Sequence, residues 1–406
     1  MRRSGGAAAA LLVAVLAAGC VRTTPGAAVS PAQPPIAVDV GKLDPGPYPT
    51  APSPPLGVAG SDQVGRLAEG RRMADYVVGP WQVDPALIGG GSSEVHIVTD
   101  RMQLGTLLWP AITAPAYNQP FLVAFSSQRD AAADDATSLR NIVLRFAGEQ
   151  AAATTARGIS AAAMTMPVML NSGSPIPAEP IRAVPIPGHP GVSGALLTHL
   201  DGDRSVQELT AASARGPFVL VQVARSAGGP DGAAALAGRA LDLQAPLIDR
   251  FQPTDPARFA DIALDPTGLV ARTLQQPRGS GLLDGAAYAP AGALHLAADP
   301  VRTAAAFSDA GVDAVSVGLT RVYQAANADQ ARALAAALAA EAADHTAAAE
   351  QAGVPGLPGS RCIGDNGLVA HTWCVAVAGR QVITALTQQP VTAHQQVAAQ
   401  YRMLLD

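Results

Sequence analysis

Serine side chains that could act as nucleophiles are present, but their spacing matches no familiar hydrolase pattern. An α/β-hydrolase carries its serine in G-x-S-x-G at a sharp turn between a strand and a helix. The closest strings in this chain of 406 residues are Gly191-Val192-Ser193-Gly194, whose spacing differs, and Ala314-Val315-Ser316-Val317-Gly318, which alternates like a strand. Both serines are therefore predicted to be structural, and the sequence indicates no enzyme.

Histidine and acidic residues could bind a metal, and the chain has seven histidines. None of them forms H-E-x-x-H or another close pair of ligands. The most polar cluster is His199, Asp201 and Asp203, which could imitate a metal or acid–base site, but Gly202 between the two aspartates favours a strand that runs into a hairpin turn. A glycine run at 89–91 precedes a strand and not a helix, so it predicts no phosphate loop. We expect no metal and no cofactor.

The first 20 residues have the composition of an export signal. Arg2 and Arg3 precede an apolar stretch over residues 7–18. A helix that spans a bilayer needs about 20 apolar residues, and the polar chain from Arg22 leaves this stretch too short. The segment is therefore predicted to direct export and not to remain as a membrane helix.

The signal ends in small residues and a cysteine, Ala17-Ala18-Gly19-Cys20, which resembles the lipobox of bacterial lipoproteins. Where leucine is usual, three positions before the cysteine, this chain has Ala17. The resemblance implies cleavage before Cys20, acylation of its thiol with fatty acids such as palmitate, and anchoring to the lipid bilayer. Two acyl chains suffice for stable anchoring. We expect the protein on the extracytoplasmic face of the cell membrane.

Cys362 and Cys374 are the cysteines that remain once Cys20 is acylated. An even pair in an oxidising compartment predicts a structural disulfide, and one across a short loop contributes about 3 kcal/mol. A metal site would need closer cysteines and further ligands, and His371 alone does not complete one. A redox pair normally has the spacing C-x-x-C.

The rest of the chain is predicted to form two α+β domains behind a tether. Residues 1–20 are the signal with its lipobox, and 21–60 form a disordered tether rich in proline and glycine. The domains are 61–255 and 256–406, with the boundary near 252–265. A net charge of −5 without a basic cluster argues against nucleic acid as a partner.

Both domains show the same order of elements, which predicts two similar lobes, each an antiparallel sheet with helices packed on it. In the N-terminal lobe we expect strands at 139–146, 194–200, 206–213 and 218–225, with helices at 148–165 and 231–251. In the C-terminal lobe we expect a strand at 312–325, a helix at 328–352, strands at 369–377 and 381–387 joined at Gly379, and a last helix capped by Thr392. Phe125-Ser126 and Phe307-Ser308 are predicted to occupy equivalent positions. A front extension at 61–124 carries a helix at 61–73 and a strand at 93–99.

Two short segments add to the evidence of the lipobox, the tether and the cysteine pair: Ala74-Asp75-Tyr76-Val77-Val78 and Gly359-Ser360-Arg361-Cys362. They resemble an uncharacterised family of actinobacterial cell-envelope lipoproteins, of the mycobacterial and nocardial type, with N-terminal and C-terminal family domains. The resemblance implies an envelope lipoprotein and no particular reaction.

Two classes of function follow from these observations. The first is a non-catalytic binding or accessory module that holds an envelope lipid, a glycan or another protein. The alternative is a hydrolase or transferase of the cell wall or of lipids with an unrecognised site. An apolar cavity favours lipid binding, a cleft with clustered carboxylates or a Ser–His pair favours catalysis, and flat lobes favour a protein partner.

Overall fold

Each half of the chain builds one antiparallel sheet in this computed structural model, which describes residues 38–167, 173–276, 283–344, 348–365 and 370–405. The strands of the first half are β1 (Leu87–Gly89), β2 (Val95–Val98), β3 (Phe121–Ala131), β4 (Asp134–Phe146), β5 (Arg182–Pro185), β6 (Ser193–Asp201), β7 (Arg204–Arg215) and β8 (Phe218–Arg225). Its helices are α1 (Asp62–Met73), α2 (Pro80–Val83), α3 (Pro110–Tyr117), α4 (Glu149–Thr165) and α5 (Gly229–Ile248).

The second half also combines strands and helices. Its strands are β9 (Ala286–Tyr288), β10 (Ala314–Val317), β11 (Thr320–Gln324), β12 (Ala348–Gln351), β13 (Arg361–Asp365), β14 (His371–Ala378) and β15 (Gln381–Thr387). Its helices are α6 (Pro290–Leu294), α7 (Pro300–Ala310), α8 (Ala328–Ala343) and α9 (Pro390–Leu405).

The two sheets have the same topology. The strand order is β1-β3-β4-β8-β7-β6-β5 in the first sheet and β9-β10-β11-β15-β14-β13-β12 in the second. Chain order maps each strand of one sheet onto one strand of the other, apart from β2, which pairs with β3. Helices α4 and α8 follow the equivalent strands β4 and β11, and α5 and α9 follow β8 and β15. The prediction of two similar α+β lobes is confirmed.

Local predictions held where a short apolar run predicts a buried strand. Strands β8 and β15 have the predicted bounds, and Gly379, with φ 58°, turns the chain between β14 and β15. The single strand expected at 312–325 is instead the hairpin of β10 and β11. Gly318 lies at the turn, and its backbone is so close to the Leu274 carbonyl that an added Cβ would sit 2.2 Å from that oxygen.

Three other expectations differ from the structure. Helix α8 ends at Ala343, not at residue 352, because the following chain forms the edge strand β12. Helix α9 begins at Pro390, two residues before the predicted cap, since proline fits the first turn of a helix. Phe125 lies in β3 and Phe307 in α7, so these residues do not occupy equivalent positions.

The second part of the predicted tether is packed against the second half of the chain. Leu43 is buried, and the Asp39 N–H donates to the Gly356 carbonyl over 3.1 Å. The Ser53 N–H donates to the Ala271 carbonyl over 2.9 Å. The prolines at 45–55 disfavour α-helices and strands, yet the chain follows a path on which Leu43, after a short 3-10 helix at Val40–Lys42, enters the core. The compact unit begins at Val38, and residues 21–37 lie outside the described ranges.

A shared apolar core joins the two lobes. The face of the first sheet under α5 and the face of the second sheet under α8 belong to one cluster, which includes Phe125, Leu220, Val315 and Val375. Separate clusters fill the α3–α4 side of the first sheet and the α9 side of the second. No helix in the described ranges has the length and apolar character needed to cross a bilayer.

Candidate functional site

A cavity of about 310 Å³ lies between the second sheet and the helices α7 and α8. We name it the C-pocket. Its walls are mainly apolar: Leu296, Phe307, Val317, Tyr323, Leu338 and Trp373. Phe307 and Tyr323 meet edge to face, with ring centroids 5.8 Å apart, which fixes one wall. Leu386, at the rim, is 61 % exposed, so the cavity opens to solvent there.

Polar groups on the C-pocket wall are few and differ in how they are held. Glu341 accepts hydrogen bonds from the Asp299 N–H at 3.1 Å and from the Thr303 hydroxyl at 3.0 Å, so it fixes the start of α7. The Arg321 guanidinium donates to the Leu296 carbonyl over 2.9 Å and forms no ion pair with any residue that the structure describes. The cavity thus combines mainly apolar walls with an arginine that forms no ion pair among the described residues, and Asp365 and His371 also line it.

The first lobe has a cavity of about 330 Å³ on the corresponding side of its sheet, and we name it the N-pocket. Its lining includes Trp109, Gln128, Ser138, Arg140, Glu208 and Arg225. The Trp109 indole N–H donates to Glu208 over 2.6 Å, and Arg225 donates to the Ser138 hydroxyl over 2.9 Å. This cavity is polar where the C-pocket is apolar.

The register shows that the two pockets occupy equivalent places. Arg215 pairs with Phe218 at the end of the β7–β8 hairpin, as Ala378 pairs with Gln381 at the end of β14–β15. Counted back from these pairs, the first lobe and the second lobe line their pockets with the following equivalent residues: Glu208 and His371, Thr210 and Trp373, Val223 and Leu386.

Comparison with protein families gives an assignment for both halves. Residues 56–264 match the N-terminal part of the domain of unknown function DUF7373, and residues 269–406 match its C-terminal part. The chain belongs to the DUF7373 family. Neither curated proteins nor solved structures gave a match.

Buried ionisable groups of the DUF7373 protein gather where the lobes meet. Burial lowers the pKa of His295 to about 4, and its Nε2–H donates to the carbonyls of Ala74 and Val77, each at 3.1 Å. Burial lowers the pKa of Arg129 to about 10, and this guanidinium donates to the His295 carbonyl over 2.8 Å. Backbone carbonyls are their partners, so these groups hold the DUF7373 lobes together.

The cysteines predicted to pair do form a disulfide. Cys362 and Cys374 face each other in the β13–β14 register, with Cα atoms 4.1 Å apart. His394 has a ring nitrogen within 4.8 Å of both sulfurs, but the bonded sulfurs offer no thiolate to a metal. Cys20, the predicted lipidation site, lies outside the described residues, so its acylation stays a prediction.

Other residues that the sequence singled out have structural roles. His199 lies in β6 against Trp109, and Gly202, with φ 58°, makes the turn between the exposed Asp201 and Asp203. The interpretation of this cluster as a hairpin is confirmed. Ser316 is buried in β10, as its alternation predicts.

Neither pocket was predicted from the sequence of this DUF7373 protein. The C-pocket draws residues from α6 to β15, and only the sheet order brings them together. Trp373 and Tyr323, two large aromatic residues in predicted strands, were the available signal, but single aromatic residues in strands usually mark the core.

Proposed function

We propose that this DUF7373 protein is a lipid-anchored, extracytoplasmic binding protein whose C-pocket takes a small amphiphile. The apolar C-pocket with the unpaired Arg321 on its wall is the observation that carries the proposal. A volume of about 310 Å³ is at the lower end of ligand-pocket volumes, which suits one short acyl chain or a similar lipid fragment. The ligand's polar end would meet Arg321.

Binding is tested with decanoate and the chain from residue 21 onward, exported so that the disulfide can form. We expect one equivalent to bind in calorimetry and to remain bound in native mass spectrometry. Ala342 lines the cavity on α8, and Ala342→Trp should fill it. Each excluded methylene costs about 0.8 kcal/mol, so we expect decanoate affinity to fall by more than about ten-fold.

Ala340→Trp is the matched control, because Ala340 is exposed on the opposite side of the same helix. Its decanoate affinity should equal that of the wild type. Equal binding by the Ala342→Trp variant, or no binding by the wild type, would contradict an apolar ligand in the C-pocket.

Anchoring is proposed from the lipobox and is tested separately in the producing cell. An alkyne-tagged palmitate should label the protein, and Cys20→Ser should abolish the label because the thiol is the acceptor. Cys362→Ser should keep it. Label on the Cys20→Ser variant would remove the lipoprotein assignment.

A hydrolase or transferase acting at the same cavity is the second candidate, and one observation favours it. Asp365 and His371 face each other in the β13–β14 register at the wall of the C-pocket, where an imidazole could activate water. This candidate expects hydrolysis of p-nitrophenyl decanoate that His371→Ala abolishes. Ester that stays intact while decanoate binds would favour the binding protein.

A further inference from the structure

The N-pocket is a built polar cavity on the first lobe. Trp109, half-buried, forms one wall, and two contacts fix its ring: the 2.6 Å hydrogen bond to Glu208 and an edge-to-face contact with His199 at 5.9 Å. A rigid aromatic surface beside carboxylate and guanidinium groups can contact a ligand that is apolar on one face and polar at its edges.

Two arginines enter the cavity from neighbouring strands. Arg140 donates through Nη1 to the Leu107 carbonyl over 2.7 Å, while its buried Nε has no hydrogen-bond partner in the described chain. Arg225 is held through its Nε by the Ser138 hydroxyl. Backbone and hydroxyl groups therefore position both guanidinium groups, which can present further N–H donors to a ligand.

The carboxylates near these arginines are close to the guanidinium groups but do not accept hydrogen bonds from them. Arg140 lies 3.7 Å from Glu94, and Arg225 lies 3.7 Å from Asp130, both beyond hydrogen-bonding distance. With Glu208, three carboxylates surround two guanidinium groups. Because the charges nearly balance, the cavity has no excess of cations that would attract a phosphate or another strong anion.

We propose that the N-pocket binds a neutral saccharide. A sugar hydroxyl donates one hydrogen bond and accepts others, so it can bridge a guanidinium fork and a carboxylate. Glu208 uses one oxygen to accept from Trp109 and can accept further hydrogen bonds from a ligand. The apolar face of a pyranose suits the indole wall. This site is separate from the C-pocket, so it stands or falls independently of the proposed function.

The test is saturation-transfer NMR and calorimetry on the chain from residue 21 onward. The probes are a panel of neutral hexoses and their disaccharides, with hexose phosphates and uronic acids as charged counterparts, each at about 10 mM. We expect at least one neutral sugar to bind and its charged counterparts to bind more weakly.

Thr210→Trp places in the N-pocket the residue that its equivalent has in the C-pocket, and it should lower the sugar affinity by about ten-fold or more. Glu208→Gln, a smaller change, should lower it as well because a charged acceptor is lost. A midpoint of urea denaturation equal to that of the wild type is the control that the variants are folded.

Three results would overturn the proposal. These are absence of binding by every neutral sugar, stronger binding of the phosphorylated sugars, and unchanged affinity in both variants. The first result excludes a saccharide, the second makes the cavity an anion site, and the third places the sugar elsewhere. None of them affects the decanoate experiment on the C-pocket.

Discussion

The N-pocket and the C-pocket occupy equivalent places in two lobes of one topology, yet their linings differ in chemistry. The N-pocket has Glu208 and Thr210 where the C-pocket has His371 and Trp373. The sheet order is the same on both sides. The fold therefore determines where a cavity lies, while a few strand positions determine what it can hold.

Hydrogen bonds to buried polar side chains explain how one fold can carry both linings. In the N-pocket, hydrogen bonds of Arg140 and Arg225 to Leu107 and Ser138 compensate for the burial of charge. In the C-pocket, Trp373 and Leu386 stand where the N-pocket has Thr210 and Val223, so the lining is more apolar and needs fewer such partners. Burial lowers the pKa of Arg140, and the carboxylates of Glu94, Glu208 and Asp130 oppose that shift.

The two lobes also differ in a covalent bond, because the C-terminal lobe has the Cys362–Cys374 disulfide and the first lobe has none. Its removal should have the largest effect. Gly194 and Ala211 are the equivalent residues of the first lobe. Replacing both Cys362 and Cys374 by serine should lower the free energy of unfolding by about 3 kcal/mol, since the open chain regains conformational freedom. Urea denaturation measures the loss. Reductant should destabilise the wild type alone, and an unchanged midpoint in the double variant would contradict this role.

The sequence predicted the lobes better than the pockets, for physical reasons. The apolar runs in Phe218–Arg225 and Gln381–Thr387 report a local property, a short strand buried on both faces, and a glycine such as Gly379 reports a local turn. A pocket depends on which strands become neighbours, as β11 and β15 do, and that is a property of the whole sheet. Leu43 went unnoticed for a similar reason, because its core partners lie in the distant C-terminal lobe.

The contact between the lobes offers the next test, because Asp75 of the first lobe and His295 of the second lobe both have shifted pKa values there. Burial raises the pKa of Asp75 to about 6, so its contribution to stability is full below the ordinary value of 3.8 and is lost as pH rises through 6. His295 has the opposite dependence, because its lowered pKa makes the protein less stable as pH falls from 6.5 through 4. The two shifts oppose each other between pH 4 and 6.

Asp75→Asn should remove the contribution of Asp75 to the pH dependence of stability. It keeps an oxygen that can accept from the Gly292 N–H, which now lies 2.6 Å from Asp75. We expect it to exceed the wild type in free energy of unfolding by about 2 kcal/mol at pH 7 and to converge with it near pH 4. Urea denaturation at both pH values checks this, with the exposed Asp201→Asn as control. An offset that does not change with pH would contradict a buried, titrating Asp75.

Trp373→Thr tests the contribution of the indole wall, because it places in the C-pocket the residue that its equivalent has in the N-pocket. Loss of the indole wall should lower decanoate affinity by about ten-fold, the effect of losing contact with one to two methylenes. Leu386→Val makes the same kind of exchange at the exposed rim and should change the affinity by less than about two-fold. Calorimetry measures the decanoate affinity of both variants. Equal effects would mean that the acyl chain of decanoate does not lie against Trp373.

Arg321→Gln should have a smaller effect than Trp373→Thr, and it separates charge from packing. The half-buried guanidinium is screened by solvent, so its attraction to a carboxylate is about 1 kcal/mol, or about five-fold in decanoate affinity. Decanol, which has the same chain without the charge, should bind the variant and the wild type equally. An equal loss for both ligands would show that Arg321 acts through its hydrogen bond to the Leu296 carbonyl, which shapes the wall, and not through its charge. The C-pocket would then differ from the N-pocket in having no polar contact to its ligand.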